Sequence, residues 1–192
     1  MESSQPPVVV GVLLAAGAGR RYGKPKVLVE GWLTAAVTAL RDGGCDHVIL
    51  VLGAAAVAVP AGATAVTAQD WQTGLSASVR AGLNEAVGMQ ADYAVLHVVD
   101  TPDVGSAVVG RVVKRALVSR SGLARAVFGD RPGHPVVIAR RHWSGVLEKL
   151  SGDQGAGPFL RTADGVENVE CSDLASGRDH DEPPWRDGKL PG

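Results

Sequence analysis

Several things are scarce in this chain, and each shortage removes a class of protein. Its two cysteines, Cys45 and Cys171, form neither a disulfide framework nor a metal-ligand spacing. Aromatic residues make up only 4 % of the sequence, so a core must be built from Val, Leu and Ala. Charge of one sign is not in excess: 19 Lys and Arg stand against 20 Asp and Glu, a net −1. Neither nucleic acid nor an anionic membrane is therefore expected as a partner, because no global positive field would attract it. The first long apolar run, Val8–Ala16, is interrupted by Gly11 and falls far short of the about 20 residues a membrane span requires. Met1–Pro7 lacks the basic start of a secretory leader and carries Glu2, so a cytoplasmic protein is expected.

What is present suits one globular domain. The 192 residues are 45 % hydrophobic, with 25 glycines punctuating the aliphatic runs. A chain of this length buries enough surface to need no covalent staple. Val8–Leu14, Val48–Leu52 and Tyr93–Val99 are short branched-aliphatic runs of the kind buried on both faces of a parallel sheet, and Thr64–Ala68 is a weaker strand candidate. Between them, Trp32–Leu40, Gly74–Val87 and Gly105–Leu117 carry apolar residues at helical spacing. Two short strands, Ala124–Phe128 and Val136–Ile138, flank the loop Gly129–Pro135; a helix over His142–Leu150, a polar loop over Ser151–Gly157 and a late strand at Val166–Val169 follow. Strands alternating with helices predict an α/β fold, three-layered, with a mostly parallel sheet and a Rossmann-like nucleotide-binding half. The expected division is a single domain over 1–174 and a surface tail over 175–192, where Asp, Pro, Gly and Arg dominate. The ligand-type cluster His180-Asp181-Glu182 falls in that tail and is expected to be solvated charge.

The sharpest local feature follows the first strand: Leu14-Ala15-Ala16-Gly17-Ala18-Gly19-Arg20-Arg21-Tyr22-Gly23-Lys24-Pro25-Lys26. Small residues let backbone N–H groups approach a polyanion, and the cations neutralise it. A P-loop needs G-x-x-x-x-G-K-[ST]; here the glycine spacing is wrong and Pro25 stands where the metal-binding hydroxyl belongs. A dinucleotide fingerprint needs G-x-G-x-x-G opening a helix. This loop is G-x-G-x-x-x-G followed by Lys-Pro-Lys, with the chain expected to run extended at Val27. The second strand also ends in Gly53-Ala54-Ala55, with no acid for a ribose.

The pattern L-A-A-G-x-G-x-R-x-G-x-P-K resembles the signature of nucleotidyltransferases with the MobA-like fold, and Asp100-Thr101-Pro102 at the end of a strand resembles that family's D-x-P. Trp71-Gln-Thr-Gly74-Leu-Ser76-Ala-Ser78, Gly133-His134-Pro135-Val136 and Gly152-Asp153-Gln-Gly155-Ala156 follow in the order seen in its molybdenum cofactor cytidylyltransferase branch. The resemblance implies transfer of CMP from CTP to a molybdopterin-type phosphate with release of pyrophosphate, assisted by Mg2+. It implies Arg21, Lys26 and Asp100 as catalytic residues, with Asp100 holding the metal. Leu14, Ala15, Ala16, Gly17, Gly19, Arg20, Ser76, His134 and Asp153 become candidates for substrate contact. A molybdoenzyme or chaperone is an implied protein partner. Other acceptors, a sugar or polyol phosphate, fit the same loop, as does a nucleotide- or cofactor-binding chaperone without turnover. Three departures bear on the acceptor: the segment between Lys26 and the helix at Leu33 is short, the family's asparagine before the tryptophan is Ala68, and the arginine closing G-D-x-G-A-R is Gly157.

Overall fold

The computed structural model describes residues 5–181; Glu182 and the rest of the expected tail lie outside them. The aliphatic runs form β1 (Val9–Leu14), β2 (His47–Leu52) and β4 (Tyr93–Val98), and β1 is buried along its whole length. Ala63–Thr67 is β3, an edge strand with alternating partial exposure. The remaining strands are β5 (Leu123–Phe128), β6 (Arg131–Ala139) and β7 (Glu167–Glu170). All seven join in one sheet, ordered β3-β2-β1-β4-β6-β5-β7, in which β6 runs antiparallel to both its neighbours and every other pairing is parallel.

Helices cover both faces. On one side α1 (Trp32–Asp42) and α3 (Ser106–Val118) bury Leu33, Val37, Leu40, Val108, Val109 and Val112 against Leu13, Leu50 and Val95. On the other, α2 (Leu75–Gly88), α4 (Trp143–Lys149) and α5 (Gly157–Leu160) pack Val79, Leu83, Val146 and Leu160 against Val10, Val12, Ile49 and Leu96. The two clusters share the sheet as their common wall, which is the expected three-layer α/β arrangement. Among the described residues, no helix is long and apolar enough to cross a membrane.

Local expectations fail at three places, each for a nameable reason. Val27 is not extended: Pro25, with φ −55°, opens a single 3-10 turn over Lys26–Leu28, closed by Leu28 N–H donating to Pro25 O at 3.0 Å. The loop expected over Gly129–Pro135 shrinks to a tight turn, because Phe128 pairs with Arg131 and Val127 with Pro132, carrying the hairpin through both prolines. The polar loop after α4 ends in α5, a four-residue helix with Pro158 in its first turn, too short to leave a periodic signal.

One core residue is anomalous. His97 on β4 is fully buried, and neither ring nitrogen has a hydrogen-bond partner among the described residues. Alternation along the strand puts it on the face of Val95 and Val99, beneath α1 and α3. Burial, with a smaller contribution from His134, pushes its pKa down to about 3, so it stays neutral in the fold. The unfolded chain takes up a proton near pH 6.5 that the folded chain refuses. Stability is therefore complete above that pH and lost as pH falls from there toward 3, at up to ~1.4 kcal/mol per pH unit from this group. Thermal melts between pH 8 and 4.5 should show a shallower acid slope in His97→Leu than in the unsubstituted protein; parallel slopes would mean His97 is not kept neutral by burial.

Candidate active site

In an open α/β sheet the carboxyl ends of the strands face a crevice where strand order reverses. Here that point lies between β1 and β4, and a cavity of about 590 Å³ opens above it. The glycine-rich loop enters directly from β1. Its first residues continue the sheet for one step, with Ala15 N–H donating to Val51 O and Ala54 N–H to Ala16 O, each at 3.0 Å. The chain then turns back on itself through Gly23 N–H to Gly19 O at 2.8 Å. Gly19 makes the turn with φ +59°, and a Cβ there would stand 1.9 Å from Lys24 O. Gly17 needs no such conformation, and the space where its side chain would be is open, so a bulky anion could approach its backbone.

Opposite the loop, Asp100 follows β4 and meets Lys26 from the 3-10 turn, Lys26 Nζ to Asp100 Oδ2 being 2.5 Å. Both side chains are largely enclosed, 14 % and 19 % exposed. Lys26 also donates to Asp181 Oδ1 at 2.9 Å, and Arg21 reaches the other oxygen of Asp181 at 3.3 Å. Burial alone would lower the Lys26 pKa, but hydrogen bonds and charge from Asp100 and Asp181 outweigh it and raise the value. The same Lys26 contact draws the Asp181 carboxyl down. Asp179, which lines the same cavity, is pushed up by lost hydration and by the charges of Asp100 and Asp181. His134 is lowered by lost hydration, with Asp100 pulling the other way.

The cavity lining includes Leu14, Ala15, Ala16, Gly17, Gly19, Arg20, Arg21, Lys26, Asp100, His134 and Asp153, so these expected residues come together from five separate stretches of chain. Ser76 does not join them. It is buried at the start of α2, its N–H donates to Gly152 O at 3.0 Å, and Ser78 one turn position on faces the cavity instead. The expectation for the tail cluster also needs correction. Asp181 is an ion-pair partner of Lys26 and Arg21, and His180 packs edge-on to Trp32 with ring centroids 5.4 Å apart while its N–H donates to Asp100 O. His180 and Asp181 stand out as ligand-type residues in the sequence, but nothing there ties Asp181 to Lys26, some 155 residues away, and Asp179 carries no signal of its own.

The donor set suits a hard divalent cation. Asp100, Asp179 and Asp181 bring carboxylate oxygens to one cavity, and the Asp179 carboxyl is raised by lost hydration first and by the charges of the other two second. Among the described residues no three such side chains already form a ligand cluster, so substrate phosphate oxygens or water would complete a coordination shell.

The MobA-like NTP transferase domain matches residues 11–169. The chain belongs to that family. A nicotine blue oxidoreductase from Paenarthrobacter nicotinovorans is 36 % identical over 191 residues, covering 91 % of this chain and 93 % of that protein. The crystal structure of Rv0371c from Mycobacterium tuberculosis H37Rv has 27 % identity and a TM-score of 0.70, covering 87 % of this chain and 89 % of that one. Its complex with manganese has 26 % identity and a TM-score of 0.65 over 85 % and 88 % of the two chains. As a MobA-like NTP transferase, the protein meets the expectation of a nucleotidyltransferase built on a Rossmann-like half.

The two loop glycines should separate in a stability measurement. Gly19→Ala combines a positive φ, worth about 1–2 kcal/mol in an L-residue, with a backbone clash, and should lower the melting temperature clearly. Gly17→Ala should melt within error of the parent. Equal melting temperatures for the two variants would contradict the turn geometry.

Proposed function

We propose that the cleft binds CTP together with magnesium and transfers CMP to a phosphate of a molybdopterin-type acceptor, with release of pyrophosphate. The observation that carries this reading is the Lys26 ammonium held between Asp100 and Asp181 at the mouth of the glycine loop. A cation so placed, with Arg21 beside it, exchanges its carboxylate partners for triphosphate oxygens when nucleotide enters. Gly17 and Gly19 offer backbone donors to the same phosphates. Phosphoryl chemistry asks the protein for alignment and charge neutralisation more than for covalent participation. An acceptor phosphate oxygen attacks the α-phosphorus in line, the bond to the β-phosphate oxygen breaks, and Lys26 and Arg21 follow the negative charge onto the pyrophosphate. Asp100, with Asp181 and Asp179 near it, would hold the metal, whose contribution when bound is to withdraw charge from the attacked phosphoryl group. The manganese held by Rv0371c supports a divalent ion in this chain as well. His134 and Asp153, on the acceptor side of the cavity, would contact the pterin-bearing substrate. The product would pass, in the cytoplasm, to a molybdoenzyme or its chaperone.

A second reading has one observation in its favour: a relative 36 % identical over nearly the whole chain is named an oxidoreductase. On that reading the loop and its cations hold the phosphates of a nicotinamide dinucleotide. Against it, β2 ends in Leu52-Gly53-Ala54, without the acid that grips a ribose in dinucleotide sites.

Thermal melts with CTP, GTP, ATP, UTP, NADH and NADPH, with and without magnesium, separate the readings. A ligand at 100 times its Kd stabilises the fold by ~2.7 kcal/mol. Magnesium-dependent stabilisation by CTP above the other nucleotides is expected, weakened in Asp100→Asn. With CTP and molybdopterin, Asp100→Asn and Lys26→Ala should each lose ~10²–10³ in the rate of pyrophosphate release. A response to the nicotinamide nucleotides and none to triphosphates would replace the transferase reading with the second one; turnover with a sugar phosphate in place of molybdopterin would move only the acceptor.

A further inference from the structure

A second cavity, of about 220 Å³, adjoins the first, and His134 and Asp179 line both. Its floor is one row of side chains running across the sheet. Leu96 on β4 pairs with Val136 on β6, Val136 with Arg125 on β5, and Arg125 with Asn168 on β7. Residues in one such row share a face, here the face covered by α5, and neighbouring strands lie about 4.8 Å apart. The apolar row thus ends at Arg125, two strand spacings, about 10 Å, of backbone from Leu96. Arg125 is held by one edge only, Nε donating to Asn168 Oδ1 at 2.7 Å. Arg131, at the hairpin turn, comes to the same cavity with Nη2 donating to Ser176 O at 2.9 Å.

Neither arginine forms an ion pair among the described residues, whereas Arg111 and Arg115 on α3 both do. The partners the two cavity arginines do have are neutral, an amide oxygen and a backbone carbonyl, and the one carboxylate on the lining, Asp179, stands at the junction with the first cavity. The Ser176 carbonyl that holds Arg131 is itself fixed, since Ser176 N–H and Oγ both donate to Asp103 Oδ2 at 2.6 Å. Two guanidiniums without an ion-pair partner among the described residues, Arg131 feeling part of the field of Asp179, face an apolar floor and form a site for a molecule with an apolar body and an anionic group. Gly157, the position where the resembling family closes its motif with arginine, lines this same cavity and adds no charge to it.

We infer that this cavity is the seat of the acceptor's distal part, and that Arg125 and Arg131 set acceptor specificity by pairing with an anionic group remote from the attacking phosphate. This rests on the first cavity taking the nucleoside triphosphate. The acceptor class that fits is a ring compound carrying two anionic groups, one presented to Asp100 and Lys26, the other to the arginines. Asp179, between the cavities, would disfavour an acceptor with negative charge at its middle.

The test uses the full chain and phenyl phosphate, a minimal ring with one oxyanion, titrated by calorimetry in the presence of saturating magnesium and a non-transferable CTP analogue. The unsubstituted protein should bind phenyl phosphate at least tenfold more tightly than the Arg125→Ala/Arg131→Ala double variant, and at least tenfold more tightly than it binds phenol. Arg125→Gln/Arg131→Gln, which keeps side-chain bulk, should show the same loss at an unchanged melting temperature. Arg41→Ala, which removes an exposed arginine paired with Asp42 far from the cavity in sequence, should bind as the parent does. CTP-analogue affinity should be equal in all variants. Failure of the analogue to bind any of them overturns the triphosphate reading, and the comparison of parent and double variant is then read without nucleotide, because Arg125 and Arg131 do not line the first cavity. Equal binding of phenyl phosphate by the parent and both double variants, or none by the parent, overturns the assignment of this cavity.

Discussion

The ammonium of Lys26 is the point on which the candidate site turns. It is enclosed, and an enclosed cation persists only where partners offset the loss of hydration. Two carboxylates do so, Asp100 from the end of β4 and Asp181 from the chain's last described residues. That single contact joins the glycine loop, the central strand and the C-terminal segment, which are otherwise separate in sequence. It also keeps opposite charges balanced in the cavity; on the proposed reading, nucleotide binding is an exchange of partners for Lys26 and Arg21 that creates no newly buried charge.

The sheet order makes that contact available. Because β1 and β4 are neighbours and parallel, the loop after one and the aspartate after the other emerge on the same edge. The reversal of direction at β6 then changes what lies beside them. An antiparallel strand returns from the opposite edge, and its hairpin with β5 carries His134, Arg131 and Arg125 to the second cavity. The parallel half thus lines one cavity and the hairpin half the other, with His134 and Asp179 shared between them.

The buried His97 shows the same economy of charge by another route. It sits three residues before Asp100 on the stretch that delivers the carboxylate, and burial keeps it neutral while Asp100 pairs with Lys26.

Much of this was legible in the residues alone. The strands β1, β2 and β4 are continuous branched-aliphatic runs, and their burial on both faces follows from hydrophobicity with no knowledge of neighbours. The glycine loop and Asp100 are local motifs at strand ends, so their place on the rim of the cavity could be read from adjacent residues. The extent of β6 could not, because its prolines argue against a strand and only the pairing with β5 overrides them. Ser76 and Ser78 are indistinguishable in a motif, and the docking of α2 on Gly152 decides which of them faces the cavity. Asp181 reads as solvated charge in a polar tail, and it becomes part of the site only through ion pairs to Lys26 and Arg21, more than 150 positions away. Local hydrophobic pattern and backbone chemistry are properties of a few adjacent residues, and sequence determines them by itself; charge partnership across the chain depends on which loops the sheet order brings to one edge, and that the tertiary structure alone decided.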